Sequence, residues 1–280
     1  MRIARVFPRR TKASPDDGLA FFDAPGLFPP EVDEVHVSVA FTWDIIRAEM
    51  LVREWKGVAP VKIGGPAFGK PSGDFVAGRY LKQGNTITSR GCPNRCWFCA
   101  AWKREGGIRE LSIVPGNTVH DDNLLACSDG HVRQVFAMLR EQKKAGKSAR
   151  LQAIEAKAMK PWHADIIATL RPKTIYMAYD TPDDREPLAD AASSLFSRGI
   201  SKAGHSLAAY VLVGYPKDTI PDAVKRLEFC ISVGVMPMAM LYRDDSGKRK
   251  PEWISFQKQW ADHIIVGKKM GLHAKMQEGK

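Results

Sequence analysis

Six short apolar runs, nearly every one followed by a stretch of helical periodicity, constrain this chain more than any other feature. They read as strands over Thr86–Ser89 (TITS), Thr118–Asp122 (TVHDD), Leu151–Ala156 (LQAIEA), Thr174–Asp180 (TIYMAYD), Ser206–Gly214 (SLAAYVLVG) and Met236–Tyr242 (MPMAMLY). Helical patterns follow in HVRQVFAMLREQKKAG, stopped at Gly146, in WHADIIATLRP, stopped at Pro172, and in PLADAASSLFSRG, AVKRLEFCISVG and ISFQKQWADHIIVGKKMG. Strand and helix in strict alternation argue for a parallel sheet with right-handed crossovers. Several runs are apolar on both faces, as a covered parallel sheet requires. Six strands fall short of a closed eight-stranded barrel, so the expectation is α/β with an open, partial (βα)6 TIM-like barrel. Functional residues in such sheets gather at the C-terminal ends of the strands. A cysteine-bearing loop after Ser89, the run Asp121-Asp122-Asn123, Glu155, Asp180 and Gly214 all fall at or near such ends.

The first 85 residues differ. RIARVF reads as a strand, DAPGLFPPEVD as a proline-rich loop, VHVSVAF as a strand, TWDIIRAEMLVREWKG as a helix and VKIGG as a further strand. This is one βαβ unit with an extra strand, and KPSGDFVAGRYLKQGN reads as a linker. The expected organisation is a small α/β unit with linker over residues 1–84, the partial barrel over 85–245, and a C-terminal helix with a basic tail over 246–280.

Lys and Arg outnumber Asp and Glu by 42 to 31, a net charge of +11. Such a balance favours nucleic acid, a nucleotide or an acidic partner protein. The excess is spread from Arg9-Arg10 to Lys268-Lys269, without a dense basic tract or an aromatic–basic repeat. No run is long enough to span a bilayer, and the N-terminal MRIARVFPRR lacks the apolar stretch of a signal peptide. The expectation is a cytoplasmic, reducing location with no membrane partner, where clustered cysteines serve metal or redox chemistry rather than disulfides.

Three of the five cysteines stand in GCPNRCWFC, as Cys92, Cys96 and Cys99, spaced C-x3-C-x2-C. Structural zinc takes four protein ligands. An iron–sulfur cube has four irons, so three thiolates leave one iron open for substrate or cofactor. A zinc site recruiting His120 or Cys127, or a redox loop, are the other readings. Cys230 lies in a helical pattern and reads as a core thiol. The two leftover cysteines cannot supply a second cluster.

SRGCPNRCWFCAAW resembles the signature loop of the radical S-adenosylmethionine (SAM) superfamily, and the six-strand alternation resembles that family's partial barrel. The resemblance implies that Cys92, Cys96 and Cys99 hold a [4Fe-4S] cluster whose open iron chelates SAM. It further implies reductive SAM cleavage to a 5′-deoxyadenosyl radical, which abstracts hydrogen from a substrate. Phe98, beside Trp97, matches the family aromatic near the adenine. Asp122, then Asn123, stand where the family has a Gly-Gly-Glu-like element for the SAM ammonium, with a helix N-cap as the other reading. Glu155 is expected inside an apolar strand, facing SAM or substrate or paired with Lys157. Asp180 fits a ribose contact or a turn cap, and Gly214 a close approach to adenine or a plain strand-to-loop glycine. Tyr179, Tyr215, Tyr242 and Arg243 are candidate substrate contacts. No catalytic residue is assigned beyond these.

VHVSVAFTWD with VKIGGPAFG resembles part of the cobalamin-binding half of B12-dependent radical SAM proteins, with Ser38 and Gly64-Gly65 at the cofactor's nucleotide tail. No D-x-H-x-x-G element is present, and His36 sits mid-strand as a structural residue. The unit therefore reads as a remnant without bound cobalamin. With cobalamin, the reaction expected would be methyl transfer. The substrate stays open between a nucleotide or nucleic-acid base and a small metabolite, and the family implies a small flavin or iron–sulfur electron donor. A zinc-stabilised nucleic-acid-binding module is the reading from a different class.

Overall fold

The computed structural model describes residues 1–244 and 247–278. They form mixed α/β structure with parallel sheets, in two compact units: Met1–Gly116 with Gly247, and Asn117–Asp244 with the segment from Lys248. The division at Gly116 counts the cysteine loop with the first unit. The end of the expected basic tail, beyond Glu278, lies outside the described residues.

In the first unit, β1 (Ile3–Val6), β2 (Ala20–Phe21), β3 (Glu34–Ser38) and β4 (Val61–Gly64) form a parallel sheet in the order β2-β1-β3-β4. Along β3, Val35 and Val37 are buried while Glu34, His36 and Ser38 alternate to the other face, the period of a strand. Helix α1 (Ile45–Trp55) answers with Ala48, Leu51 and Trp55, one face of a 3.6-residue period. These pack with Ala4, Val6 and Val39 into one core. Each fully buried Val or Leu among them contributes about 1.5–3 kcal/mol. Trp55 keeps its indole N–H satisfied on the carbonyl of Asp23 at 3.0 Å. The expected helix from Thr42 begins with a 3₁₀ turn, Thr42–Asp44.

The expected continuous strand Thr86–Ser89 is two short pieces, β5 (Asn85–Thr86) and β6 (Ser89–Arg90). After β6 come the short helix α2 (Ala100–Glu105) and β7 (Arg109–Glu110), which pairs antiparallel with β6.

The second unit is built from β8 (Thr118–Val119), α3 (Asp129–Lys144), β9 (Arg150–Leu151), α4 (Pro161–Leu170), β10 (Thr174–Ala178), α5 (Arg185–Ser197), β11 (Leu207–Val213), α6 (Ile220–Ser232) and β12 (Met236–Leu241). These five strands are parallel and lie in chain order, β8-β9-β10-β11-β12. Burial explains where they run long: every residue of β11 except Tyr210 is buried, a strand covered on both faces. Helix α3 is capped by Ser128, whose side chain accepts from His131 N–H, and α6 by Thr219, accepting from Asp222 N–H.

Two expectations need correcting here. The ladder at β8 stops at Val119 and at β9 stops at Leu151, short of Asp122 and Ala156. Glu155 is therefore not inside a strand; it precedes a 3₁₀ turn, Ala156–Ala158. The last helix is also two, α7 (Pro251–Ala261) and α8 (His263–Glu278). Asp262 breaks it in extended conformation and caps α8, accepting from the N–H groups of Ile264 and Ile265 at 2.8 and 3.1 Å.

Candidate functional site

The loop carrying Cys92, Cys96 and Cys99 is fixed by its own backbone. Gly91 has φ +83, and a Cβ there would lie 2.2 Å from the carbonyl oxygen of Gly107. Only glycine tolerates both demands. This contact seats the loop's start on the turn after α2, where Cys92 N–H donates to the carbonyl of Gly106 at 3.2 Å. The middle is held by the Trp102 indole N–H, donating to the Cys96 carbonyl at 2.8 Å, and by Cys99 N–H on the same carbonyl at 3.1 Å. Cys99 is the residue that precedes α2. Phe98 meets Trp97 edge to face at 5.4 Å, with Trp97 half exposed. All three thiols are unbridged and half-buried.

The chemistry of this donor set fits a thiolate-bound metal or cluster: three sulfurs outside any disulfide on one braced loop. Their arrangement is not that of an assembled ligand cage. Among the described residues no group of three or more His, Cys, Asp or Glu side chains is disposed to hold a metal ion. Cys127 and Cys230 are buried, and burial pushes the Cys230 thiol up to about 12, as a core thiol requires.

Sequence reading missed the brace beneath α2. The Glu105 side chain is fully buried, and its carboxylate accepts from Arg104 Nε at 2.8 Å, Ser72 Oγ at 2.7 Å and Ser72 N–H at 3.0 Å. Burial alone would raise its pKa; the bonds from Arg104 and Ser72 outweigh it and hold the carboxyl below its ordinary range. The signal for it was a glutamate one residue before Gly106-Gly107, with arginines at 104 and 109, but its partner Ser72 lies in the segment read as linker.

In the second unit, consecutive strands deliver polar groups to one edge. Asp121 and Asn123, just past β8, are buried, while Asp122 between them is half-buried. Asn123 takes the cap position of a 3₁₀ turn, Leu124–Ala126, without a side-chain cap bond. Past β9 stands Glu155, and past β10 stands Asp180, whose Oδ1 accepts from Leu212 N–H at 3.0 Å. Burial pushes the Asp180 carboxyl up to about 7; the Leu212 bond opposes this, and the nearby charges of Asp184 and Glu155 add to it. Asp184 takes the turn-capping role, accepting from the N–H groups of Asp180 and Thr181 at 3.0 and 2.8 Å. Lys157 pairs with Asp184 at 2.7 Å, and the nearby Glu155 charge also favours its protonated form.

Gly214, past β11, has φ +72, and a Cβ there would lie 2.7 Å from Leu241 Cδ1 and 2.9 Å from the Trp253 ring. Packing alone demands this glycine. Its N–H donates to Asp218, whose buried side chain pairs with Arg226 at 2.9 Å. Tyr179 is buried edge-on against Phe229 of α6. Tyr215 lies under the Arg226 guanidinium at 5.3 Å. Tyr242 and Arg243 are half-buried past β12.

In the segments compared with a cobalamin-binding domain, His36 and Gly65 meet partners within the first unit. His36 bonds Tyr80 Oη at 2.7 Å and Glu34 at 2.8 Å through its two ring nitrogens, a structural role. Gly65, φ +118, lies where a Cβ would stand 2.5 Å from the Val39 carbonyl oxygen.

No protein-family model matches the chain, and no curated protein matches it either. Among the described residues no helix is long and apolar enough to cross a membrane.

Proposed function

We propose that this protein is a radical SAM enzyme. The observation that carries the reading is the loop Gly91–Cys99: three unbridged, half-buried thiols in C-x3-C-x2-C spacing, braced by Gly91, Trp102 and the turn at Gly106. Cys92, Cys96 and Cys99 would hold a [4Fe-4S] cluster. A cluster bound by these thiolates would pass on one electron from an external donor for reductive cleavage of SAM to methionine and a 5′-deoxyadenosyl radical able to abstract hydrogen from a substrate.

The second unit supports the same reading through its winding. Strand order never reverses, so successive right-handed crossovers lay their helices on one face. Helices α3 and α4, and α4 and α5, pack side by side accordingly. A doubly wound sheet would reverse direction and split its helices between two faces. Such winding supports a partial barrel, whose functional edge would carry Asp122, Asn123, Glu155 and Asp180. Asp180 with its raised pKa offers an acceptor or a neutral donor to a cofactor hydroxyl. The reading implies a cytoplasmic location, a small flavin or iron–sulfur electron donor, and a substrate class that includes nucleotides and nucleic-acid bases.

The test is anaerobic reconstitution with iron and sulfide, then dithionite and SAM, assayed for 5′-deoxyadenosine and methionine. Wild type is expected to form both and the Cys96→Ala protein neither. Stoichiometric zinc with no cluster uptake would refute the reading.

A further inference from the structure

The edge of the second unit opposite to Glu155 and Asp180 has a different character. Here three helices end and three strands begin. The end of α3 carries exposed Lys143, Lys144 and Lys147; the end of α4 carries exposed Arg171 and, before β10, Lys173; the end of α5 carries exposed Arg198 and, before β11, Lys202. The strand register brings these ends side by side: Thr174 pairs with Arg150 and Ile175 with Leu207. Hydrogen bonds tie them together. Lys143 Nζ donates to the Thr169 carbonyl at 2.8 Å, and Lys173 N–H to the Ala149 carbonyl at 2.8 Å. Against seven cations stand Glu141, on Lys144, and Asp165, on Arg198.

Between the helix ends lies an open depression of about 620 Å³, lined by Lys143, Asp165, Ala168, Thr169, Arg171 and Arg198. Cations at helix C-termini complement the helix dipole, but the fold does not demand them: the C-cap that is Arg171 in α4 and Arg198 in α5 is Val233 in α6. Ala168 is the one apolar residue of the lining. A protein partner would need an apolar or aromatic centre to dock on. A phosphate backbone needs only spaced cations and polar donors.

We infer that this edge is a docking surface for the phosphate backbone of a nucleic acid, gripped without base readout. The dispersed positive charge of the sequence is thereby concentrated by the fold into a patch that no linear basic tract announces. The surface does not depend on the cysteine loop or on the radical SAM reading, so the two stand or fall separately.

The test uses the full chain with fluorescein-labelled single-stranded DNA and RNA oligonucleotides, followed by anisotropy over a salt series. The variant is Lys143→Glu/Arg171→Glu/Lys173→Glu. The charge-matched control is Arg53→Glu/Lys56→Glu/Lys62→Glu on the first unit. The edge variant should bind about tenfold or more weakly, with a salt slope flatter by about 0.7 for each phosphate it no longer neutralises. The control and the Cys96→Ala protein should bind as wild type. Lysine acetylation of unaltered protein, with and without oligonucleotide, provides a readout that needs no variant: Lys143, Lys144, Lys147, Lys173 and Lys202 should be protected, and Lys56 and Lys62 should not. Equal binding by the edge variant, equal weakening of the control, or protection elsewhere would overturn the inference. Competition by polyglutamate as strong as that by oligonucleotide would reassign the surface to an acidic protein. Saturation by inorganic phosphate alone would reduce it to a small-anion site; either result overturns the nucleic-acid assignment.

Discussion

Replacing Asp180 by asparagine separates a residue kept for stability from one kept in spite of it. Its carboxyl is shifted from 3.8 to about 7, with burial the main cause. Each unit corresponds to 1.36 kcal/mol, so about 3 units correspond to about 4 kcal/mol of penalty on the ionised form. Asp180 retains partial exposure, and solvent screening leaves roughly 2–4 kcal/mol. The folded pKa lies above the unfolded one, so between about pH 4 and pH 7 the native state holds a proton that the unfolded chain has released. Stability therefore falls as pH rises through that window and is level above it. Asparagine imitates the neutral acid and still offers an oxygen to Leu212 N–H. Asp180→Asn should be more stable than wild type by roughly 2–4 kcal/mol at about pH 8, with the difference closing towards pH 4. Urea denaturation across this range measures it. A variant no more stable at pH 8, or a difference that persists in acid, would refute the reasoning. If the same variant loses SAM cleavage while gaining stability, Asp180 is retained for function.

Other perturbations follow from the same geometry. Gly91→Ala must place a Cβ against the Gly107 carbonyl at positive φ; it should cost about 2 kcal/mol or more, seen as a lower Tm, and speed alkylation of Cys92. Glu105→Gln removes the charge that Arg104 faces in a buried pair and should cost about 3 kcal/mol at neutral pH. Because the wild-type carboxyl is held below its ordinary range, that contribution exists above the range and is lost as pH falls through it, so the gap between variant and wild type should narrow in acid. Iodoacetamide at about pH 8, mapped by mass spectrometry, should modify Cys92, Cys96 and Cys99 in the folded, cluster-free protein. Cys230, pushed up to about 12, and buried Cys127 should react only on unfolding; native labelling of Cys230 would contradict its assignment to the core.

How legible these features are in sequence depends on what holds them. The strands from Thr174 onward are read to within two residues, because each is an almost wholly apolar run and β11 is covered on both faces. LQAIEA looks like another such run. Its regular ladder ends at Leu151, after which isolated bonds from Gln152 to Val119 and from Ile154 to Tyr176 carry the chain irregularly. Apolar content records burial there, not backbone regularity. The break at Asp262 is hidden in a stretch that reads as one helix, since a single capping aspartate looks the same in sequence as an aspartate on a helix surface. The C-x3-C-x2-C spacing is plain because it is local. Its brace is not, since Ser72 and Glu105 are 33 residues apart and carry no pattern that joins them.

The same distinction bears on which site residues carry functional meaning. Gly65, Gly214 and Tyr179 are each fully accounted for by packing, so their presence argues for nothing beyond the fold. Asp180 is the opposite case. The turn that follows it is already capped by Asp184, and its bond from Leu212 N–H could be accepted equally by asparagine. A neutral side chain would serve the fold better by the magnitude worked above. The Asp180→Asn comparison therefore tests whether this carboxylate, at the end of a central parallel strand beside Glu155 and disfavoured by its own desolvation, serves binding, since the turn does not require it.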